Sequence, residues 1–406
     1  MFSGGALYVI LKETLQNRYI MKKYIVLILI FGYTVFTYGQ KLSTEKIKPI
    51  NHDSLIKYMQ KTLNDFTISG IAVSIFTGDK VLNEEVLGVR NIQTNDSIIV
   101  NDKFHLGSCG KAMTGFVAGR LVEKGIIKWD TKLFDVFPEL KDSSNSDYLN
   151  ITMNELLSHR SGVRPFTEDE EWKILPNFHS TNEILRRYDF CKWLLRQPSV
   201  EIDTIKKHSY SNAGYAVAAS MMEKVSGKSW DNLIFDELFN PLQINATIGW
   251  PGLLGHEQPY GHWIKEGDSL LSVHLPNDEY KMDDIITPAG NYSMSINDYV
   301  KFLQLNLSGV NGKDSILKST TYNYLHYCHF DSTIHLFPFY SIGWGVFKTP
   351  EGYTISTHNG SAGTFYCWVI LYKELDLGLA IITNSGEDES KDGVKRLRNM
   401  ILEQYK

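Results

Sequence analysis

Strand-like runs at both ends of the sequence, with helical periodicity between them, constrain this chain more than any other feature. Near the start, Gly70-Ile71-Ala72-Val73-Ser74-Ile75-Phe76 and residues 81–86 flank the turn signal Gly78-Asp79 and read as a hairpin. Near the end, residues 341–347, 353–357, 365–372 and 377–383 have the same texture, and a helical pattern over 391–404 closes the chain. Segments with apolar residues at helical spacing fill the middle, among them 152–158 and 214–225. No linker or repeat interrupts the stretch from 47 to 406. The expectation is one α/β (α+β) unit: a mostly antiparallel sheet built from both chain ends, flanked by helices, with an all-helical subdomain inserted over about 114–282. A cleft between the sheet and the insert is the expected place for a site.

The first forty residues are of another kind. Met21-Lys22-Lys23 precedes an apolar run over 24–36 and then the small-residue pattern Thr37-Tyr38-Gly39. Residues 1–39 therefore read as a secretory signal peptide, with Met21 as the true start and the mature protein exported to the periplasm or beyond. The apolar run falls short of the roughly 20 residues that span a bilayer, so no membrane span is expected after processing; an uncleaved anchor is the alternative. With 21% charged residues, a net charge of -5 and no block of Lys or Arg, the chain offers nothing for nucleic acid to bind. Cys109, Cys191, Cys328 and Cys367 show no C-x-x-C spacing, so they read as small buried residues and no metal or cofactor is expected.

Three segments carry chemistry. Ser108-Cys109-Gly110-Lys111 puts a hydroxyl and an amine three residues apart, on one face of a helix that starts near Ser108 and is closed by Lys124-Gly125. The S-x-x-K spelling also occurs at Ser43/Lys46, Ser54/Lys57 and Ser315/Lys318, but only Ser108 sits between an apolar extended segment and a long apolar helix. Tyr210-Ser211-Asn212 precedes the helix over 214–225; a tyrosine beside a lysine ammonium is expected to have a lowered pKa, and Asn212 to orient a substrate amide. Tyr148-Leu149-Asn150 has the same spelling and reads as a surface loop. His358-Asn359-Gly360-Ser361 lies between two strand-like runs, where Gly360 lets another backbone approach and an edge N–H would join that of Ser108 in an oxyanion hole.

Taken together, the order Ser-Lys, Tyr-Asn, His-Gly resembles the three active-site motifs of the serine β-lactamase and penicillin-binding protein superfamily, in its class C-like branch. The resemblance runs from Ser54 to Leu402 and includes Glu123-Lys124-Gly125-Ile126-Ile127, Leu156-Leu157-Ser158-His159-Arg160-Ser161-Gly162, Pro288-Ala289-Gly290 and Gly343-Trp344-Gly345. It implies a β-lactamase/transpeptidase-like fold and a serine hydrolase with Ser108 as nucleophile and Lys111 and Tyr210 as the general acid/base pair. It further implies Asn212, His358, Gly360 and Ser361 as substrate-binding residues, with the N–H groups of Ser108 and Ser361 as oxyanion donors. The substrate would be a small amide or ester, as for a peptidase, esterase or β-lactamase, with cell-wall peptides as one source.

The chain departs from the β-lactamase pattern at His358, where those enzymes carry a lysine that attracts a substrate carboxylate. An imidazole of ordinary pKa, about 6.5, is largely neutral at pH 7. The competing reading is a peptidoglycan- or peptide-binding protein that keeps the fold without the chemistry.

Overall fold

The computed structural model describes residues 47–405 apart from 168, 203–207, 256, 266–270, 279, 281 and 328–338. The leader reading, Ser43/Lys46 and Cys328 lie outside the described residues.

The main sheet has seven strands, all antiparallel to their neighbours. From the N-terminal side come β1 (Gly70–Phe76) and β2 (Val81–Gly88). Among the described residues, five short strands lie between these two groups: β3 (Phe104–His105), β4 (Thr247–Ile248) and β7 (Tyr292–Met294) form one small sheet, and β5 (His262–Ile264) pairs with β6 (Leu271–Val273). From the C-terminal side come β8 (Phe339–Tyr340), β9 (Gly345–Lys348), β10 (Thr354–Ser361), β11 (Tyr366–Tyr372) and β12 (Leu377–Thr383). The order β2-β1-β12-β11-β10-β9-β8 makes β1 and β12 direct neighbours, with Ile71 opposite Thr383 and Phe76 opposite Gly378. The sheet is thus assembled from both chain ends, as the sequence predicts.

Strands β1, β11 and β12 are buried along their whole length, because each face of the sheet is covered. Side chains alternate across a strand. Ile71, Val73, Ile75, Trp368, Ile370, Leu379 and Ile381 face one layer, where α1 (His52–Asp65) and the last long helix, Asp388–Leu402, contribute Leu55, Met59, Val394, Leu397 and Ile401. Ala72, Phe76, Cys367, Val369, Ala380 and Ile382 face the other layer, which is continuous with the helical insert. That double coverage explains why these strands read as unbroken apolar runs rather than as alternating ones.

Helix α2 (Gly110–Glu123) lies at the centre of the second layer, buried from Gly110 through Gly119 and again at Leu121. A helix apolar on all sides belongs in a core. Gly125, at φ +70°, ends it as predicted. The insert adds α3 (Met153–Leu157), capped by a reciprocal Thr152/Glu155 box, α4 (Glu183–Leu194) and α5 (Asn212–Ser226), capped by the Ser211 hydroxyl. It is helical in the main but also carries β4, β5 and β6, whose two or three residues are too short to show a period of two. Tyr148 is not part of a surface loop: it is fully buried in the core of the insert, with only Leu149 and Asn150 exposed. Among the described residues no helix is long and apolar enough to cross a membrane.

Ile381 is fully buried in the strand that joins the two chain ends, so Ile381→Ala is expected to cost about 2–5 kcal/mol of unfolding free energy. Val81→Ala, at an exposed edge position, is expected to stay within about 0.5 kcal/mol of wild type. Urea denaturation of both variants checks the contrast, and equal midpoints would contradict this account of the sheet.

Candidate active site

Ser108 sits in a single 3-10 turn, Gly107–Cys109, that leads directly into α2. Gly107 adopts φ +52°, a left-handed conformation, and a Cβ there would lie 2.7 Å from the backbone of Ser361. Gly360 is under the reciprocal constraint: its Cβ would meet the Leu106 carbonyl at 2.0 Å and the Ser108 nitrogen at 2.8 Å. Two glycines therefore allow the nucleophile turn and the end of β10 to touch backbone to backbone. The hydroxyl of Ser108 is partly exposed, whereas Cys109 and Gly110 are buried behind it.

Lys111 is completely buried. Its Nζ lies 3.1 Å from Ser108 Oγ, 2.7 Å from Asn212 Oδ1 and 2.8 Å from the Ala289 carbonyl, all uncharged acceptors. The amine also lies 4.7 Å from the centre of the Tyr210 ring and 5.4 Å from that of Tyr215. Burial holds the lysine pKa well below its ordinary value. As a neutral amine it has two protons, which Asn212 and Ala289 accept, and one lone pair, which is left for the Ser108 hydroxyl. That is the geometry of a general base.

Tyr210 is partly buried at the start of α5, and its hydroxyl bonds to Ser108. The expectation of a lowered phenol pKa is not met: burial raises it above the usual tyrosine value, against the smaller opposing effect of the Ser108 bond. The reason is geometric, since Lys111 approaches the face of the ring and has itself been biased toward neutrality. Tyr210 is therefore an un-ionised phenol, a proton donor, beside an amine that accepts.

Asn212 donates through Nδ2 to the Phe166 carbonyl at 2.9 Å while Oδ1 takes the lysine proton, so in this state it holds Lys111. The sequence placed His358 to Ser361 between two strands, but β10 runs through all four, and Gly360 pairs with Cys367 and Ser361 with Tyr366. His358 is buried on the same face of the strand as Gly360, and Ser361 is exposed at its end. The imidazole is spoken for at both nitrogens: Nδ1 lies 2.7 Å from the Asn359 carbonyl and Nε2 2.8 Å from the Tyr340 hydroxyl. A carbonyl only accepts, so Nδ1 carries a proton, and in the neutral ring Nε2 accepts from Tyr340.

The S-x-x-K copies at Ser54/Lys57 and Ser315/Lys318 gain no such surroundings. Lys57 and Lys318 are exposed, and Ser315 bonds the Tyr322 hydroxyl at 3.0 Å. The sequence reading missed Ala289, which acts through a backbone carbonyl and so has no side-chain signal, and Tyr340, which belongs to no motif. Cys109, Cys191 and Cys367 are buried free thiols. Among the described residues no group of His, Cys, Asp or Glu is arranged to hold a metal ion.

A serine at a helix start, a buried amine and a phenol beside it, and a strand end against the serine's turn have the arrangement that the three sequence motifs imply. Residues 55–402 match the Beta-lactamase family, and this chain belongs to that family within the serine β-lactamase and penicillin-binding protein superfamily. It is similar to penicillin-binding protein 4 of Amycolatopsis lactamdurans, at 24% identity over 347 residues that cover 83% of this chain and 86% of that protein. It is also similar to teichoic acid D-alanine hydrolase of Staphylococcus aureus, at 23% identity over 67% of this chain and 63% of that protein. The fold resembles the octameric penicillin-binding protein homologue from Pyrococcus abyssi, with a TM-score of 0.68, 19% identity and coverage of 87% of this chain and 78% of that one. A class C β-lactamase from Rhodobacter sphaeroides aligns with a TM-score of 0.66 at 17% identity, over 86% of this chain and 99% of that one.

Gly360→Ala tests the backbone contact directly. The added methyl is expected to push β10 away from the Ser108 turn and to slow phosphonylation of Ser108 by a fluorophosphonate by on the order of 10²-fold, the usual consequence of a shift of about 1 Å in a reacting group. Labelling rates with a fluorophosphonate, compared with wild type, measure this; an unchanged rate would show that the contact does not set the geometry of the site.

Proposed function

We propose that this protein is an exported serine hydrolase that cleaves small amides or esters through an acyl-enzyme on Ser108. The observation that carries the reading is the Lys111 amine, buried without a carboxylate partner among the described residues and 3.1 Å from Ser108 Oγ. In the first half of the reaction, neutral Lys111 takes the Ser108 proton as Oγ attacks the substrate carbonyl. The negative charge that develops on the carbonyl oxygen is stabilised by the N-terminal end of α2 and by the N–H groups of Ser108 and Ser361. As the tetrahedral species collapses, the Tyr210 phenol donates its proton to the departing amine or alkoxide and regains one from the Lys111 ammonium. In the second half a water molecule attacks the ester on Ser108, loses its proton to the same pair, and the acid is released with Ser108 restored.

His358 supports a choice of substrate. With Nδ1 given to a carbonyl and Nε2 to Tyr340, the imidazole presents no free cation at the place where β-lactamases use lysine. A substrate with no carboxylate beside the scissile bond suits such an edge, and an ester or amide of D-alanine, the group named in one relative, meets that requirement. Efficient penicillin hydrolysis is not expected.

Labelling and mutagenesis test the reading. A fluorophosphonate is expected to label Ser108 alone, with Ser108→Ala abolishing the adduct; mass spectrometry of the labelled peptide checks it, and an adduct elsewhere that survives the substitution would overturn the assignment. Lys111→Ala and Tyr210→Phe are each expected to lower turnover by on the order of 10² to 10⁴, less than additively when combined.

The depressed lysine pKa fixes the sign of the pH dependence. Neutral Lys111 is the active form, so kcat/KM for a neutral ester is expected to fall as pH drops through the lysine pKa, at a pH well below the ordinary lysine range. His358→Lys is expected to help carboxylate-bearing amides more than neutral esters. Equal effects on both would show that His358 does not read substrate charge.

A further inference from the structure

His159 lies in the segment Leu156 to Gly162, which the proposed reaction does not use. It is completely buried yet adopts φ +62°, a conformation that non-glycine residues seldom take. The left-handed twist has a specific result. Its backbone carbonyl accepts from Ser209 N–H at 2.8 Å, and its ring Nδ1 accepts from Ser211 N–H at 3.1 Å. These two residues flank Tyr210. The imidazole itself packs on Tyr210, with ring centres 4.2 Å apart, and is held from behind by the Tyr340 ring at 4.3 Å.

Because Nδ1 accepts, the proton of the neutral ring is on Nε2, and that N–H finds no partner among the described residues. A buried donor without a partner is costly, and it is retained here beside a left-handed backbone that is costly too. Both costs fall on the one residue that grips the chain on either side of the phenol. Burial keeps the ring neutral, as an Nδ1 acceptor must be, and the basic groups that face it, Lys111, His208, His358 and Arg160, would oppose any charge on it. The other groups packed on it are the phenols of Tyr215 and Tyr340.

We infer that His159 is the positioning residue of the proton donor, fixing Tyr210 against Ser108 through the two backbone bonds and the ring contact. The inference rests on the hydrolase reading above. His159 does not touch the reacting atoms, so its loss acts through Tyr210 and is largest where a leaving group needs a proton. A methoxide leaving group needs one; p-nitrophenolate does not.

The substitutions that separate the roles are His159→Asn and His159→Gly. Both residues tolerate positive φ, but only asparagine offers an acceptor where Nδ1 stands. Asn is expected to keep kcat within about threefold of wild type, whereas Gly is expected to lose on the order of 10-fold to 10²-fold on D-alanine methyl ester, with KM little changed. On D-alanine p-nitrophenyl ester the Gly variant is expected to lose several-fold less. Circular dichroism confirms that both variants fold, and fluorophosphonate labelling of wild-type Ser108 tests the underlying reading separately. An unlabelled wild type would overturn both the hydrolase reading and this one. A labelled wild type with equal losses on the two esters, or with Gly as active as Asn, would overturn the role of His159 alone.

Discussion

The site depends on one interaction, the burial of the Lys111 amine among uncharged acceptors. An ammonium in a dry interior is expensive unless a carboxylate balances it, and among the described residues none is hydrogen-bonded to Lys111. The balance is tipped toward the neutral amine, and much of the surrounding structure serves that end. α2 is buried on all sides, which keeps water from the stem of the side chain. The Ala289 carbonyl and the Asn212 amide oxygen take the two amine protons, so the remaining lone pair has one direction to face. Carboxylates in place of these two acceptors would restore the charge and remove the base.

A second constraint is the division of labour between amine and phenol. Burial shifts both groups toward their uncharged forms, and for a lysine and a tyrosine that means opposite changes in proton affinity. One becomes a better acceptor at neutral pH and the other a firmly protonated donor. In the proposed reaction the same desolvation supplies an acid and a base within reach of a single hydroxyl.

How much of this was legible in the sequence depends on whether side chains or backbone carry the information. The two-ended sheet was readable because β1, β11 and β12 are covered on both faces and so are written as continuous apolar runs. Ser108, Lys111 and Tyr210 were readable because their order and spacing are a pattern. The Ala289 carbonyl was not, since any residue supplies one. The extension of β10 through His358 to Ser361 was not legible, although Gly360 was read as a place where another backbone approaches, and the Leu106 carbonyl is what approaches it. Tyr148 misled in the opposite way: a polar run before it suggested exposure, while its ring fills the core of the insert. The ionisation of Tyr210 was misjudged because sequence proximity says nothing about whether a charge faces a hydroxyl or a ring.

The pairing of β1 with β12 has a consequence for how the chain acquires its shape. Ile71 pairs with Leu87 of β2 on one side, but its partner on the other is Thr383, so the middle of the sheet cannot close until nearly the entire polypeptide is available. Contacts that far apart in sequence carry a large loop-closure cost and slow the search for the native state. A chain emerging in order from its N-terminus would hold β1 and β2 as an isolated hairpin, which is marginal in water, throughout the synthesis of the insert. The fold is therefore completed late, by its last strands, and the polypeptide stays open and threadable for most of the time it is being made.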